Sequence, residues 1–431
     1  MRRSRETNQL ENCSSCLMAV KQNGLVLEHI FEQTPEICLA AVKEDYLALQ
    51  YVKQQSYDIC LAGVQNSGYA LEYVKEQALD KDKYFDICIA AVQSYSDALQ
   101  YVNEDVLEQD MYEKICLAAV QRGGNSLKFI MRQNLEICLA AVNEEGTALQ
   151  YVNEEIFNQD QYFDICLAAV SKGNSDTILY VNEKSLTEKQ YSEICLKAVM
   201  KSYIPLQYIK KQTFELCLSA VQTDSNALQY IDDKVLTNEQ YRELCFTAVR
   251  NEGKSLQYIE NQTPDICLAA IYNDPSAFEY VKEQTESICI AAIRMNHQPM
   301  FRRSFCEKTF QCIKKQTEAI CFAAVESYAL VLQYIGKQTP EICLAAVTQD
   351  GMALRYVREQ SPEICLAAVI QSGGALQFAG NQTEELCIAA VRKQSDVLCF
   401  VNEEYLTAAV IKAAEERRRE EMLEKNKAVY Y

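Results

Sequence analysis

The chain has 431 residues, with 60 acidic against 42 basic side chains, a formal net charge of −18 and only two histidines. Glycine (13) and proline (7) are scarce, which disfavours a fold of strands and turns and favours packed helices with short connections. The acidic balance opposes non-specific nucleic-acid binding, and no apolar run approaches the ~20 residues of a membrane span.

Residues 1–9 read as an N-terminal arm. The start, MRRSRETNQL, lacks the apolar core of a secretory signal, so an intracellular location is expected, with neither a nucleic-acid nor a membrane partner. From 10 to 401 one pattern repeats. Its core resembles E-I-C-L-A-A-V and is indexed by one cysteine per copy: Cys16, Cys38, Cys60, Cys88, Cys116, Cys138, Cys166, Cys195, Cys217, Cys245, Cys267, Cys289, Cys321, Cys343, Cys365 and Cys387. Successive cysteines stand 22 residues apart nine times, 28 four times, and 29 and 32 once each. A second block resembling A-L-Q-Y-V follows each core, so each period carries two elements.

The first block predicts an α-helix. Thr34-Pro35-Glu36-Ile37 supplies a capping hydroxyl, a proline that loses no hydrogen bond, and a carboxylate at the positive end of the dipole. Thr, Ser or Asn recurs at this cap as Thr34, Ser56, Asn134, Thr213, Thr263, Thr285, Thr317, Thr339, Ser361 and Thr383. In the longer linkers the helix is expected to start earlier, with capping boxes from Thr187 to Gln190 and from Thr237 to Gln240. This block is apolar on nearly every side, which predicts a helix sandwiched between neighbours. The second block, Ala48-Leu49-Gln50-Tyr51-Val52, predicts a shorter helix with Gln50 facing outward. Neither is long enough to be stable alone, and stacking the hairpins into a solenoid buries both faces. The expected fold is all-α: one continuous α-solenoid of about sixteen short helix-turn-helix repeats.

Between Cys289 and Cys321 ten extra residues enter. The expanded loop 294–309, RMNHQPMFRRSFCEKT, holds Arg294, Arg302, Arg303 and Lys308 against one acid, Glu307. Phe301 and Phe305 add aromatic anchors of the kind enriched at interfaces, and His297 lies in the same loop. These residues are the candidate contact site for an acidic protein partner. A staple folded back on the chain's own acidic linkers and a solvated bulge are the alternatives. Residues 402–431 read as a capping helix and tail, with Glu415 and Arg419, then Glu421 and Lys425, at i,i+4 spacing.

Twenty cysteines raise the question of metal or disulfide chemistry. Sixteen hold one position of an apolar helix. Stacked helices ~8–10 Å apart keep neighbouring copies beyond the ~7 Å that a disulfide spans. Reduced thiols packed as small hydrophobes are therefore expected. Cys13 and Cys16 form a lone C-x-x-C, the spacing of a redox pair or half a zinc site. Cys312 and Cys399 stand at the Tyr and Gln positions of the second block, and His29 at its aromatic position, where a packed stand-in is expected. The tyrosines of that block either pack between repeats or line a groove. Its glutamines, among them Gln50, Gln100, Gln150, Gln229, Gln257 and Gln333, either bond between repeats, face water, or bind extended backbone. The chain shows no Gly-rich phosphate loop, no Ser/His/Asp set and no H-E-x-x-H. No catalytic residue, metal or cofactor is assigned.

The strings EICLAAVKEDYLALQYVKQQ and PEICLAAVTQDGMALRYVREQ resemble a short helical repeat catalogued as a domain of unknown function, the forty-one-sixteen family. The resemblance covers roughly 10–405 and differs in placing cysteine where a valine or other small apolar residue is expected. It implies a helical-repeat fold and a setting in giant DNA viruses or amoeba-associated intracellular bacteria, and it supplies no catalytic residues. The expected function is a non-enzymatic protein-protein interaction scaffold. A structural component of a larger assembly such as a virion is the alternative, and a thiol-dependent enzyme using Cys13 and Cys16 the third reading.

Overall fold

The computed structural model describes residues 14–295 and 302–428, with side chains described over 14–295 and 307–423. Its contacts divide it into two compact units, Met1–Thr223 and Asp224–Tyr431. Among the described residues every regular element is a helix. Each unit is an α-solenoid of short hairpins, and each ladder cysteine lies in the first helix of one of them.

In a 22-residue repeat the first, or A, helix has ten residues, as in Pro35–Glu44, and the second, or B, helix has six, as in Tyr46–Tyr51. The B helices are 3-10 helices. Residues three apart then eclipse one another, so Leu49 and Val52 stack on the buried side while Gln50 stays exposed. A single extended residue makes the turn. Asp45 (φ −140°, ψ 118°) donates its N–H to the Ala41 carbonyl at 2.9 Å, ending the A helix. Its carboxylate accepts the Leu47 N–H at 2.9 Å, starting the B helix.

Most of the expected caps form. Thr34, Asn134, Thr213, Thr285, Thr317, Thr339, Ser361 and Thr383 each accept the N–H three residues on. Ser56 and Thr263 do not; the Thr263 hydroxyl donates to Asp265 instead. In the longer linkers the A helix does start earlier, running to fourteen residues in Lys81–Ser94 and Glu188–Lys201. Capping boxes close at Thr187 and Thr237, and a further one at Asn158.

From the Cys38 repeat on, the Ile or Leu before the cysteine, the cysteine, and the Ala or Gly and the Val or Ile three and four residues past it are buried in the A helices, for example Ile87, Cys88, Ala91 and Val92. The Leu just after the cysteine is only half-buried, as at Leu39, Leu117 and Leu344, and Leu366 is exposed. B helices seat closely on the next A helix. Gly124 and Gly253 open their B helices with ordinary negative φ, and what requires glycine is proximity: an added Cβ would collide with the Ala141 or the Ala270 carbonyl of the next repeat.

Of the expanded loop expected at 294–309, the part from Arg302 on is helical, and residues 296–301 lie outside the described residues. Helix Arg302–Cys312 takes the place of a B helix and packs between the B helices Pro275–Tyr280 and Ala329–Tyr334. Thr309 and Phe310 are buried, and the Ile313 N–H reaches the Phe310 carbonyl at 3.2 Å, as Val52 does Leu49. The A-L-Q-Y-V register is thus kept as Thr309-Phe310-Gln311-Cys312-Ile313, because the apolar slot between neighbours must still be filled. At the C-terminus, helix Ala408–Ala428 covers the last A helix, Glu384–Lys393, with Val410, Ala413 and Ala414 buried. Glu421 accepts from the Ser395 hydroxyl at 2.6 Å and pairs with Arg417.

Candidate functional site

The side chains that carry most chemistry in this sequence meet at the junctions between repeats. The glutamine just before each helix cap holds them together. The Gln55 amide donates to the carbonyl of Leu49, in its own B helix, at 3.3 Å and to that of Tyr73, in the next, at 2.8 Å. Its oxygen accepts the Lys75 backbone N–H at 2.8 Å and faces the Cys60 Sγ at 3.6 Å. Both donors and both acceptor positions of one side chain are thereby used on groups that 3-10 helix ends leave orphaned. The same four bonds recur at Gln33, Gln262, Gln338 and Gln360.

In the 28-residue repeats this glutamine is replaced by a tyrosine one position nearer the cysteine, buried at Tyr84, Tyr112 and Tyr162 and half-buried at Tyr241. Tyr84 and Tyr162 accept the Asn103 and Asn182 backbone N–H groups, each at 3.0 Å, at the place where Lys75 meets Gln55. Their hydroxyls lie within hydrogen-bonding reach of Cys88 and Cys166. Cysteine at the ladder position therefore has a physical reason that its reading as a small hydrophobe omits. It packs like Val or Ala and also presents a weak S–H donor to the glutamine oxygen.

The inter-repeat ladder consists of the linker glutamines and not of the second-block ones. Gln50, Gln100, Gln150 and Gln229 are exposed and bond to carbonyls of their own B helices at 3.0 Å. The signal for the true ladder is present in the sequence: every short linker places Gln directly before its Thr, Ser or Asn cap.

Burial pushes the ladder thiols up, to about 12 at Cys88, Cys116, Cys138 and Cys166 and to about 11 at Cys60, Cys195, Cys217, Cys245 and Cys267. Such thiols stay protonated and are poor nucleophiles. The described cysteines are free, and among the described residues no three His, Cys, Asp or Glu side chains converge as a metal site. Cys16 is half-buried, while Cys13 lies outside the described residues. Cys312 and Cys399 are exposed. His29 is exposed as well, rather than packed between repeats.

Of the candidate contact residues at 294–309, Arg294 pairs with Glu326 of the following repeat at 3.2 Å, with both side chains exposed. Lys308 is exposed on helix Arg302–Cys312. Arg302, Arg303 and Phe305 belong to that helix, but their side chains lie outside the described residues, as do His297 and Phe301 entirely. Near Glu326, a shallow groove between the A helices Glu318–Ser327 and Pro340–Gln349 is lined by Phe322, Leu344, Ala345 and Thr348.

The aromatic residues that end the B helices form a half-exposed ladder. Neighbouring repeats touch along it: the Tyr258 hydroxyl reaches the Asn226 oxygen at 3.0 Å, and Tyr69 and Tyr101 lie edge to face at 6.3 Å. The chain matches no protein-family model and no curated protein. Among the described residues no helix is long and apolar enough to cross a membrane.

Proposed function

We propose that the chain is a non-enzymatic protein-protein interaction scaffold. The observation that carries this reading is a division of labour inside each repeat. Cysteine, the linker glutamine or its tyrosine substitute, and the buried Ile, Ala and Val hold repeat to repeat. The position before the B-helix aromatic stays exposed on a fixed backbone while its identity changes from Gln50 to Glu72, Lys128 and Arg355. A constant frame with one variable surface is how helical solenoids build recognition faces. The resemblance to the forty-one-sixteen repeat family supports the same reading and an intracellular setting, and brings no catalytic residues with it.

Site-specific photo-crosslinkers at Gln100, Gln257 and Leu366 test it. Discrete partner proteins trapped in an extract of the source cell support the scaffold. Cross-links confined to further copies of the chain overturn it in favour of an assembly component. The cations at 294–309 are proposed to take an acidic partner. Replacing Arg302 and Arg303 by Ala is then expected to weaken capture and its salt dependence with the melting temperature unchanged. A lower melting temperature with capture intact identifies a staple instead.

A further inference from the structure

We propose that the B-helix face of the Cys60 and Cys88 repeats, built from Glu72, Tyr73 and Tyr101, binds the guanidinium of an arginine in a basic peptide segment. The inference rests on the scaffold reading and names the chemistry of one partner.

The chain itself shows what this face accepts. In the Cys343 repeat the residue before the terminal aromatic is Arg355. Its guanidinium lies 4.7 Å from the ring of Tyr356 and 5.7 Å from that of Phe378, the equivalent ring one repeat on. In the Cys116 repeat Lys128 takes the same position, 4.6 Å from the Phe129 ring, and pairs with Asp97 of the preceding repeat at 2.7 Å. In the Cys343 repeat consecutive rings thus form a cation seat filled from within, and in the Cys116 repeat one ring and a neighbouring carboxylate do the same.

In the Cys60 repeat the equivalent residue is Glu72, exposed, with Tyr73 and Tyr101 at the register positions that Tyr356 and Phe378 hold around Arg355. The two B helices, Gly68–Tyr73 and Ser96–Tyr101, pack side by side as Gly351–Tyr356 and Gly373–Phe378 do. The rings are crowded here: Tyr69 lies 4.5 Å from Tyr95 and 6.3 Å from Tyr101. Burial, and after it the Glu72 carboxylate, hold the Tyr73 and Tyr101 hydroxyls above their ordinary range. A carboxylate replaces the internal cation at a seat built for one. Glu28 and Glu279 share the position without two flanking rings, since the aromatic places beside them hold His29 and Cys312. The excess of acid over base across the chain steers a basic segment inward. Arginine fits better than lysine because its planar group stacks on a ring while its fork grips a carboxylate.

The test titrates the full chain with fluorescent oligoarginine and oligolysine peptides of equal length and follows anisotropy at low and physiological salt. The expected result is tighter capture of oligoarginine, by about 5-fold or more. Glu72→Arg, which fills the seat as Arg355 does, is expected to weaken capture by about 10-fold or more with an unchanged melting temperature. Glu144→Arg, an equal charge reversal at the exposed end of another A helix, is expected to change it by less than about 2-fold. Equal effects of the two reversals, equal binding of the two peptides, or no capture of oligoarginine each overturn the proposal. None of these results touches the scaffold reading, which the cross-linking measures separately.

Discussion

The Gln55 side-chain amide donates to the Tyr73 carbonyl, eighteen residues ahead in the next repeat, at 2.8 Å. Because the same side chain also serves Leu49, Lys75 and Cys60, its removal strands several buried polar groups at once. Gln55→Ala is expected to cost about 2–4 kcal/mol, whereas Gln50→Ala, which removes an exposed local bond, stays within about 0.5 kcal/mol. Denaturant unfolding followed by hydrogen exchange at the Lys75 amide checks this. Faster Lys75 exchange in Gln55→Ala alone is the expected signature, and equal costs for the two variants would refute the assignment of the ladder.

The tyrosine of the long repeats does part of the same work with fewer atoms. Tyr162 is buried and accepts the Asn182 backbone N–H at 3.0 Å. Tyr162→Phe keeps the ring and leaves that N–H without its acceptor, an expected loss of about 1–2 kcal/mol. A neutral result would mean that the ring alone, through packing, substitutes for glutamine.

The fold was legible because it is written many times. One Thr-Pro-Glu-Ile could be chance, but its recurrence as Thr263-Pro264, Thr339-Pro340 and Ser361-Pro362, in step with the cysteines, fixes helix starts and repeat count together. What the pattern could not separate is α from 3-10 in the B helices. Over six residues such as Tyr46–Tyr51, periods of 3.6 and 3.0 bury nearly the same positions. The expanded segment was legible in part. Cys312 at the Tyr position already gives the register that buries Thr309 and Phe310, whereas the polar, cationic run before them carries no apolar period to announce the helix that begins at Arg302. The glutamine ladder was missed because each Gln sits outside both apolar blocks, where side chains are ordinarily solvated.

Alkaline pH should unfold the chain before its tyrosines titrate fully. Burial raises buried ladder thiols above the ordinary 9.0, to about 11 at Cys60 and about 12 at Cys88. Below the ordinary value both folded and unfolded thiols are protonated, and their contribution to stability is complete. As pH climbs toward the folded values, unfolded thiols ionise first and draw the equilibrium toward unfolding. The melting temperature is therefore expected to be flat from about pH 7 to 8 and to fall steeply from about pH 9 to 11. Cys88→Val, which cannot titrate, should make that fall shallower. An unchanged profile in Cys88→Val would show that other groups govern alkaline unfolding.

Thiol labelling separates the structural ladder from exposed sulfur. Cys312 and Cys399 are exposed, whereas Cys88, Cys138, Cys245 and Cys387 are buried. A neutral alkylating reagent at neutral pH, read by peptide mass mapping, is expected to modify Cys312 and Cys399 within minutes and to leave those four ladder positions intact far longer. Their reaction requires a repeat to open, so its rate reports local unfolding rather than nucleophilicity. Gln55→Ala should speed labelling at Cys60, whose thiol it uncovers, and leave Cys343, which has its own Gln338, at the original rate. Fast native-state modification of a buried ladder cysteine would contradict the packing. Equal acceleration at Cys60 and Cys343 would show that the repeats open together and that the glutamine bonds do not act locally.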